Sequence, residues 1–95
     1  MMIEFDWDPD KNALNRRKHK MSFEDAIKIF DNEIETDTKF NSIVGGEDRW
    51  ESVGLLANAV IAVIHTIEDE NGSEVYRIIS ARKLKQHERK RHGYR

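Results

Sequence analysis

Residues 60–67 form a nearly continuous apolar run in a chain in which 36% of the residues are charged. A run of this length without polar alternation suits a strand that is buried on both of its faces. The sequence therefore predicts a central β-strand here, and the other elements have to be arranged around it.

Strands are also predicted before and after this run. Residues 50–56 and 75–81 have strand patterning, residues 57–59 form a turn, and Asn71-Gly72 is typical of a hairpin turn. Residues 33–39 have the weaker pattern of a short edge strand. These segments predict an antiparallel sheet of three to four strands.

Helices are predicted on both sides of this meander in the chain. Asp8 can cap a first helix with Pro9 at its first position, and that helix should run to about His19 with Ala13 and Leu14 as a thin apolar face. Ser22 can cap a second helix, in which Phe23, Ala26, Ile27 and Phe30 form one apolar stripe. The basic tail from Lys83 predicts a C-terminal helix anchored by Leu84. Segregated helices and antiparallel strands indicate an α+β fold.

The length and composition exclude several classes of protein. The 95 residues suffice for one domain, and the absence of cysteine excludes disulfides and thiolate chemistry. No apolar stretch reaches the ~20 residues of a membrane helix. The acidic first residues do not fit a secretory signal. We therefore expect a cytoplasmic protein that binds no membrane.

The small net charge of −2 hides a strong sorting of charge along the chain. Residues 11–20 carry +5 and residues 82–95 carry +6, so the rest of the chain is strongly acidic. Two basic blocks at opposite ends of a small chain favour nucleic-acid binding. Each block taken alone is also explained as a solvated helix face.

Five segments in order along the chain resemble the BrnT family of bacterial type II toxins. They are Phe5-Asp6-Trp7-Asp8-Pro9-Asp10-Lys11-Asn12, Arg17-Lys18-His19 leading into Ser22-Phe23-Glu24-Asp25-Ala26, Glu47-Asp48-Arg49-Trp50, Val63-Ile64-His65-Thr66, and Arg77-Ile78-Ile79-Ser80-Ala81-Arg82-Lys83. The similarity covers nearly the whole chain, so residues 1–95 are interpreted as one toxin domain. Lys20 stands where the family usually has glycine.

This resemblance implies a RelE-like fold and metal-independent RNA cleavage that inhibits translation, with no cofactor. It also implies a BrnA-like antitoxin with a ribbon-helix-helix part, which forms a hetero-oligomer with the toxin. Operator DNA would then be bound only through the antitoxin.

RNA cleavage of this kind needs groups that bind phosphate and groups that move protons. Arginine binds phosphate oxygens through its fork and keeps its charge, whereas histidine transfers protons near neutral pH. We expect Arg77 or Arg82 to hold the scissile phosphate, Arg49 to neutralise charge and His65 to act as acid or base. Simple alternation places Arg77 and Arg82 on different faces of their strand.

The expected RNA-binding residues are Lys18, His19, Trp50, Ser80 and Lys83. Several candidates also have a purely structural explanation: a histidine in an apolar strand is usually a core residue, Arg77 can pair with an acid across the sheet, and a strand tryptophan is more often packed than stacked on a base. No metal site is expected, because His87 and His92 lie on different faces of the presumed terminal helix.

Two functions from different classes follow. The first is a ribonuclease toxin, and the alternative is a non-catalytic nucleic-acid-binding module or an interaction subunit of a regulatory complex. A binding module loses affinity steadily as basic residues are removed, whereas an enzyme can keep binding and lose turnover.

Overall fold

The computed structural model describes residues 2–32 and 35–94, and these residues form an α+β fold with a mixed sheet of six strands and three α-helices. In chain order the elements are β1 (Ile3–Asp6), α1 (Pro9–His19), α2 (Phe23–Ala26) with a following 3₁₀ turn (Ile27–Asp31), β2 (Asp37–Val44), β3 (Glu47–Leu56), β4 (Ala59–His65), β5 (Glu68–Glu70), β6 (Ser73–Lys83) and α3 (Gln86–Arg91). None of the helices in the described ranges is long and apolar enough to cross a membrane.

The strands lie in the order β1-β6-β4-β3-β2, and β5 also pairs with β6. The pairing of β1 with β6 is parallel, whereas the other pairs are antiparallel. The prediction of a purely antiparallel sheet with three to four strands was therefore wrong in both respects. Parallel pairing joins segments about seventy residues apart in the chain, and no local pattern signals it.

The central position predicted for residues 60–67 is confirmed, because β4 lies between β3 and β6. On one face, Ile61 and Val63 pack with Phe23 and Ile29 in the main core. On the other face, Val60 and Ala62 belong to a second, smaller cluster with Leu84. We call the face covered by α1 and α2 the inner face and the opposite one the outer face.

The hairpin at Asn71-Gly72 is confirmed, with φ of 51° and 84° at the two residues. These values suit the turn that matches the right-handed twist of the strands it joins. The edge strand is longer than predicted and begins later in the chain than residues 33–39, because β2 begins at Asp37 and ends at Val44. Residues 33 and 34 of the predicted strand lie outside the described ranges.

The first two helices start where their capping residues predict. The backbone N–H of Asp10 donates to Asp8 Oδ1 at 2.8 Å, and that of Asp25 donates to Ser22 Oγ at 3.1 Å. The second helix is shorter than predicted, because α2 ends at Ala26 and continues as the 3₁₀ turn. The C-terminal helix also starts later than predicted, at Gln86, because β6 extends to Lys83.

The expected apolar face of α1 was wrong. Leu14 is 55% exposed, and the buried side chains of the helix are Asn12 and Asn15. Asn15 Nδ2 donates to the carbonyl oxygens of Met21 and Ala81 at 2.9 and 2.8 Å, and Asn15 Oδ1 accepts from the N–H of Ala81 at 3.2 Å. One side chain thus pairs with β6 as a neighbouring strand would, beyond the point where β1 ends.

A bulge in β6 decides which of its side chains share a face. His65 is paired with Ile78, but the preceding residue Ile64 is paired with Ser80. The extra residue shifts the alternation by one position. As a result Arg77, Ser80 and Arg82 all lie on the outer face, although simple alternation separates Arg77 from Arg82.

Candidate functional site

Arg49, Thr66 and Arg77 lie side by side in one row on the outer face. The pairs Trp50–His65 and His65–Ile78 define the row beside it, on the inner face. Beyond His65 the chain still bonds to β6, because the N–H of Thr66 donates to the carbonyl oxygen of Arg77 at 3.0 Å. One strand, β4, lies between the two strands that carry Arg49 and Arg77, and adjacent strands are about 4.8 Å apart.

Arg77 lies at the acidic end of this row. Its Nη1 donates to Asp6 Oδ2 at 2.7 Å, and both side chains are about half exposed. The surrounding cleft has a volume of about 410 Å³, and four carboxylates line it: Glu4, Asp6, Glu68 and Glu70. Arg77 therefore carries a charge that its surroundings already balance.

Arg82 is held by the C-terminal helix. Its two Nη atoms donate to the two carboxylate oxygens of Glu88 at 2.8 and 2.6 Å. This hydrogen bonding lowers the pKa of Glu88 from 4.5 to about 2, with help from the N–H of Lys85, and it raises the pKa of Arg82. The fork of Arg82 is thus occupied in fixing α3 over the outer face.

His65 lies on the inner face, away from the three arginines. It is fully buried, its ring stacks on Tyr76 with centroids 4.4 Å apart, and Phe30 meets it edge-on. Because a carbonyl oxygen only accepts, the contact of 3.1 Å to Thr66 O makes Nδ1 the donor, and Nε2 then accepts from Ser52 Oγ at 2.7 Å. Burial lowers the pKa of the ring below 6.5.

Three of the expected RNA-binding residues meet at the edge of the sheet. Lys18 and His19 from α1 line one cleft of about 220 Å³ with Ser80 from the bulge of β6. Lys11, Leu14 and Ile79 complete most of its wall. A shared cleft of basic side chains and a hydroxyl is chemically suited to phosphate.

The other two expected RNA-binding residues lie elsewhere. Lys83 lines a separate cleft of about 550 Å³ with Lys20. Trp50 is on the inner face, half-buried, with its ring edge-on to Phe40 at 5.7 Å. The expected site residues therefore lie in three places: on the outer face, on the inner face, and in the clefts beside α1.

Sequence reasoning did not select Thr66 as a site residue. The residue is 2% exposed, and its Oγ1 is a buried side-chain atom without a hydrogen-bond partner in the described part of the chain; Arg49 Nε is another. A buried polar atom without a partner costs about 1–3 kcal/mol. The signal in the sequence was slight: a threonine at the end of an otherwise apolar strand.

Within the described ranges, no group of three or more histidine, aspartate or glutamate side chains is arranged to hold a metal ion. On the outer face, the guanidinium of Arg77 lies beside several carboxylates.

The match of this chain to a protein-family model shows which family it belongs to. The model describes the ribonuclease toxin BrnT of type II toxin–antitoxin systems, and it matches residues 7–88 of the 95. The chain belongs to the BrnT family. A search of curated protein sequences found no match.

Membership of the BrnT family makes ribonuclease activity the expected activity of this chain and an antitoxin its expected protein partner. The matched residues include Arg49, Thr66, Arg77 and Arg82, whereas Asp6 lies one residue before them.

Proposed function

We propose that this BrnT-family protein is a metal-independent endoribonuclease that cleaves RNA on the outer face of its sheet and thereby inhibits translation. The row of Arg49, Thr66 and Arg77 is the observation that carries the proposal, since it brings two of the expected catalytic arginines to the same surface. A phosphate lying between them can be contacted from both sides.

In the proposed reaction, the 2′-oxygen of the RNA attacks the adjacent phosphorus and the bond to the 5′-oxygen breaks. The products are a 2′,3′-cyclic phosphate and a free 5′-hydroxyl. Arg49 and Arg77 stabilise the extra negative charge of the pentacoordinate transition state. The 2′-proton passes to a base, and the departing 5′-oxygen takes a proton from an acid or from water.

We assign the role of base to Asp6 rather than to His65. Asp6 is hydrogen-bonded to Arg77 at 2.7 Å, on the face where the phosphate would bind. His65 is separated from that face by the sheet itself, and both of its ring nitrogens are already in hydrogen bonds. Its proposed role is therefore structural.

The activity is tested with purified protein and a structured RNA in EDTA. Cleavage should leave 2′,3′-cyclic phosphate ends, and Arg49→Ala or Arg77→Ala should reduce the rate by roughly a hundredfold or more. Asp6→Asn should also lose turnover, whereas a folded His65→Gln should keep it. Arg17→Ala, on another surface, removes the same charge and should keep at least half of the rate.

Absence of cleavage would not by itself reject the enzyme, so the assay is repeated with ribosomes and messenger RNA. If neither substrate is cleaved while RNA still binds equally well to Arg77→Ala, the ribonuclease proposal is wrong.

The alternative is a non-catalytic nucleic-acid-binding module, and the surface of α1 favours it. The five basic residues between Lys11 and Lys20 form no salt bridge with any described residue. In this case each removed charge should weaken RNA binding by a similar factor, and the dependence of affinity on salt should become less steep.

For the partner, we propose a BrnA-like antitoxin with a ribbon-helix-helix part. It would form a hetero-oligomer with this chain in the cytoplasm. The complex would bind operator DNA only through the antitoxin. We also propose that the α+β fold is RelE-like. Co-expression of the neighbouring reading frame, followed by co-purification and an RNA cleavage assay, tests the partnership.

A further inference from the structure

Arg49 and Thr66 share an unusual property and a position. Of the buried side-chain nitrogen and oxygen atoms in the described ranges, only Arg49 Nε, Thr66 Oγ1 and Arg89 Nε have no hydrogen-bond partner. Arg89 lies on α3. Arg49 directly precedes Trp50 on β3 and Thr66 directly follows His65 at the end of β4, and Trp50 and His65 are paired with each other.

The fold alone does not explain a threonine at position 66. The residue is buried, and its position lies in a strand-like segment that pairs with β6. Valine has the same shape, an equally high preference for strands and no polar atom to bury. A buried hydroxyl without a partner needs an explanation, and a bound ligand is one that also accounts for Arg49.

The two atoms can be satisfied together by an anion. Arg49 Nε can only donate a hydrogen bond, which excludes a metal ion as the shared ligand, and the hydroxyl of Thr66 can donate as well. Arg77 flanks Thr66 from the other strand and adds a second positive charge. A phosphate group has several oxygens and can therefore accept from two or three such donors.

The carboxylates of the outer face limit which anions can bind. Glu68 follows Thr66 by two residues on the same face, and Asp6 is paired with Arg77. These negative charges repel a free anion that makes few hydrogen bonds. Only a ligand that accepts hydrogen bonds from several donors at once should bind in spite of this repulsion. A phosphodiester that also makes contacts elsewhere on the protein meets this condition.

We propose that Arg49 Nε and Thr66 Oγ1 form the subsite that holds a non-bridging oxygen of the scissile phosphate. The inference names atoms within the proposed ribonuclease site and in that respect rests on the proposed function. Thr66 is covered, so a neighbouring side chain has to move before an oxygen reaches it. Arg49 has no ion pair with a described residue, so no salt bridge holds its side chain in place.

Phosphate binding is measured directly by titrating the wild-type protein with inorganic phosphate and then with a ribonucleoside 3′-monophosphate. The readouts are the NMR signals of the arginine Nε–H groups and of the Thr66 amide. Saturable shifts of Arg49 Nε–H and Thr66 are expected. Thr66→Val should weaken binding at least tenfold, and Thr66→Ser, which keeps the hydroxyl, should retain most of it.

Thr38→Val is the matched control, because Thr38 also lies on the sheet but its hydroxyl bonds to Ser52 on the inner face. This variant should bind phosphate as the wild type does. Thr66→Val should have a thermal midpoint equal to or above that of the wild type, since it removes a polar atom without a partner. Unfolding of Thr66→Val would show that the hydroxyl has a structural role and would overturn the inference.

RNA cleavage separates this inference from the proposed function. If the wild type cleaves RNA, Thr66→Val should lower kcat at least tenfold with a smaller change in KM. Equal cleavage by Thr66→Val, or phosphate titrations that leave Arg49 unshifted, would overturn the subsite while the ribonuclease stands. Phosphate binding at Arg49 and Thr66 without any RNA cleavage would keep the subsite and reject the ribonuclease.

Discussion

The imidazole of His65 is held between Ser52 and the carbonyl oxygen of Thr66, with the ring of Tyr76 stacked on it. The hydroxyl of Thr38 extends this chain of hydrogen bonds through a contact of 2.6 Å to Ser52. Burial disfavours the charged form of a ring enclosed in this way and therefore lowers the pKa of His65.

The pH dependence of stability should reveal this environment. The pKa of His65 is below 6.5 in the folded protein, so the unfolded chain takes up a proton first as the pH falls. The free energy of unfolding should therefore decrease as the pH is lowered from 6.5 towards the pKa of the folded state, and this contribution should be absent above 6.5. Urea denaturation between about pH 5 and pH 7.5 measures it.

His65→Gln should remove this part of the pH dependence, whereas the exposed His87→Gln should keep it. If His65→Gln and the wild type change in parallel as the pH falls, the ring of His65 is accessible and charged in the folded protein.

The C-terminal end of α1 depends on the backbone conformation of a single residue. Lys20 closes the helix with φ of 57° and ψ of 32°, and its N–H donates to the carbonyl oxygen of Arg16 at 3.0 Å. This left-handed conformation is the one that glycine adopts without strain, and a side chain makes it costly. Glycine is also the residue that the BrnT resemblance implies at this position.

Lys20→Gly should therefore stabilise the protein by about 0.5–1 kcal/mol, as the relief of strain exceeds the added freedom of the unfolded chain. Equilibrium unfolding in urea gives this change in free energy. Lys11→Gly makes the same substitution inside α1 and should destabilise the protein by about 1 kcal/mol. A loss of stability in both variants would contradict the strain at Lys20.

At the scale of the whole molecule, the N-terminal layer is joined to the sheet by amide groups as well as by apolar packing. Asn15 satisfies both backbone groups of Ala81 on β6, and Asn12 Oδ1 accepts from the N–H of Phe23 at 2.9 Å. All of these contacts connect segments that are distant in the chain or belong to different helices. Their loss should therefore destabilise the whole fold and not one element alone.

Asn15→Ala should lower the free energy of unfolding by about 2–4 kcal/mol, because it leaves the N–H and carbonyl oxygen of Ala81 buried without this partner. Far-UV and near-UV circular dichroism during urea unfolding measure the loss and show whether helices and core unfold together. Asn58→Ala, in the exposed turn between β3 and β4, should change stability by less than about 0.5 kcal/mol. Similar effects of the two substitutions would contradict the role given to Asn15.

Basic and acidic segments of the chain also lie on different surfaces of the folded protein. The first basic block becomes the exposed surface of α1, while part of the acidic charge gathers on the outer face around Arg77. Arg82, from the second basic block, is neutralised by Glu88 within the same block. Counting charge along the chain therefore overstates how many of these side chains are available to a polyanion.

The sequence by itself determined the α+β class, the starts of both N-terminal helices, the central strand, the hairpin at Asn71-Gly72 and the family. Each of these depends on near neighbours in the chain: a cap and the residues that it bonds, a run of apolar side chains, or the dihedral angles of a turn. Such short-range preferences can be read without knowing the fold.

Only the tertiary structure decided which side chains share a face. One extra residue in β6 moved Ser80 and Arg82 to the side of Arg77, and the register of β4 turned His65 inward and Thr66 outward. A shift of one residue exchanges the faces of every residue that follows, and it is set by pairing between distant strands. For the same physical reason the parallel pairing of β1 and the buried asparagines of α1 could not be predicted.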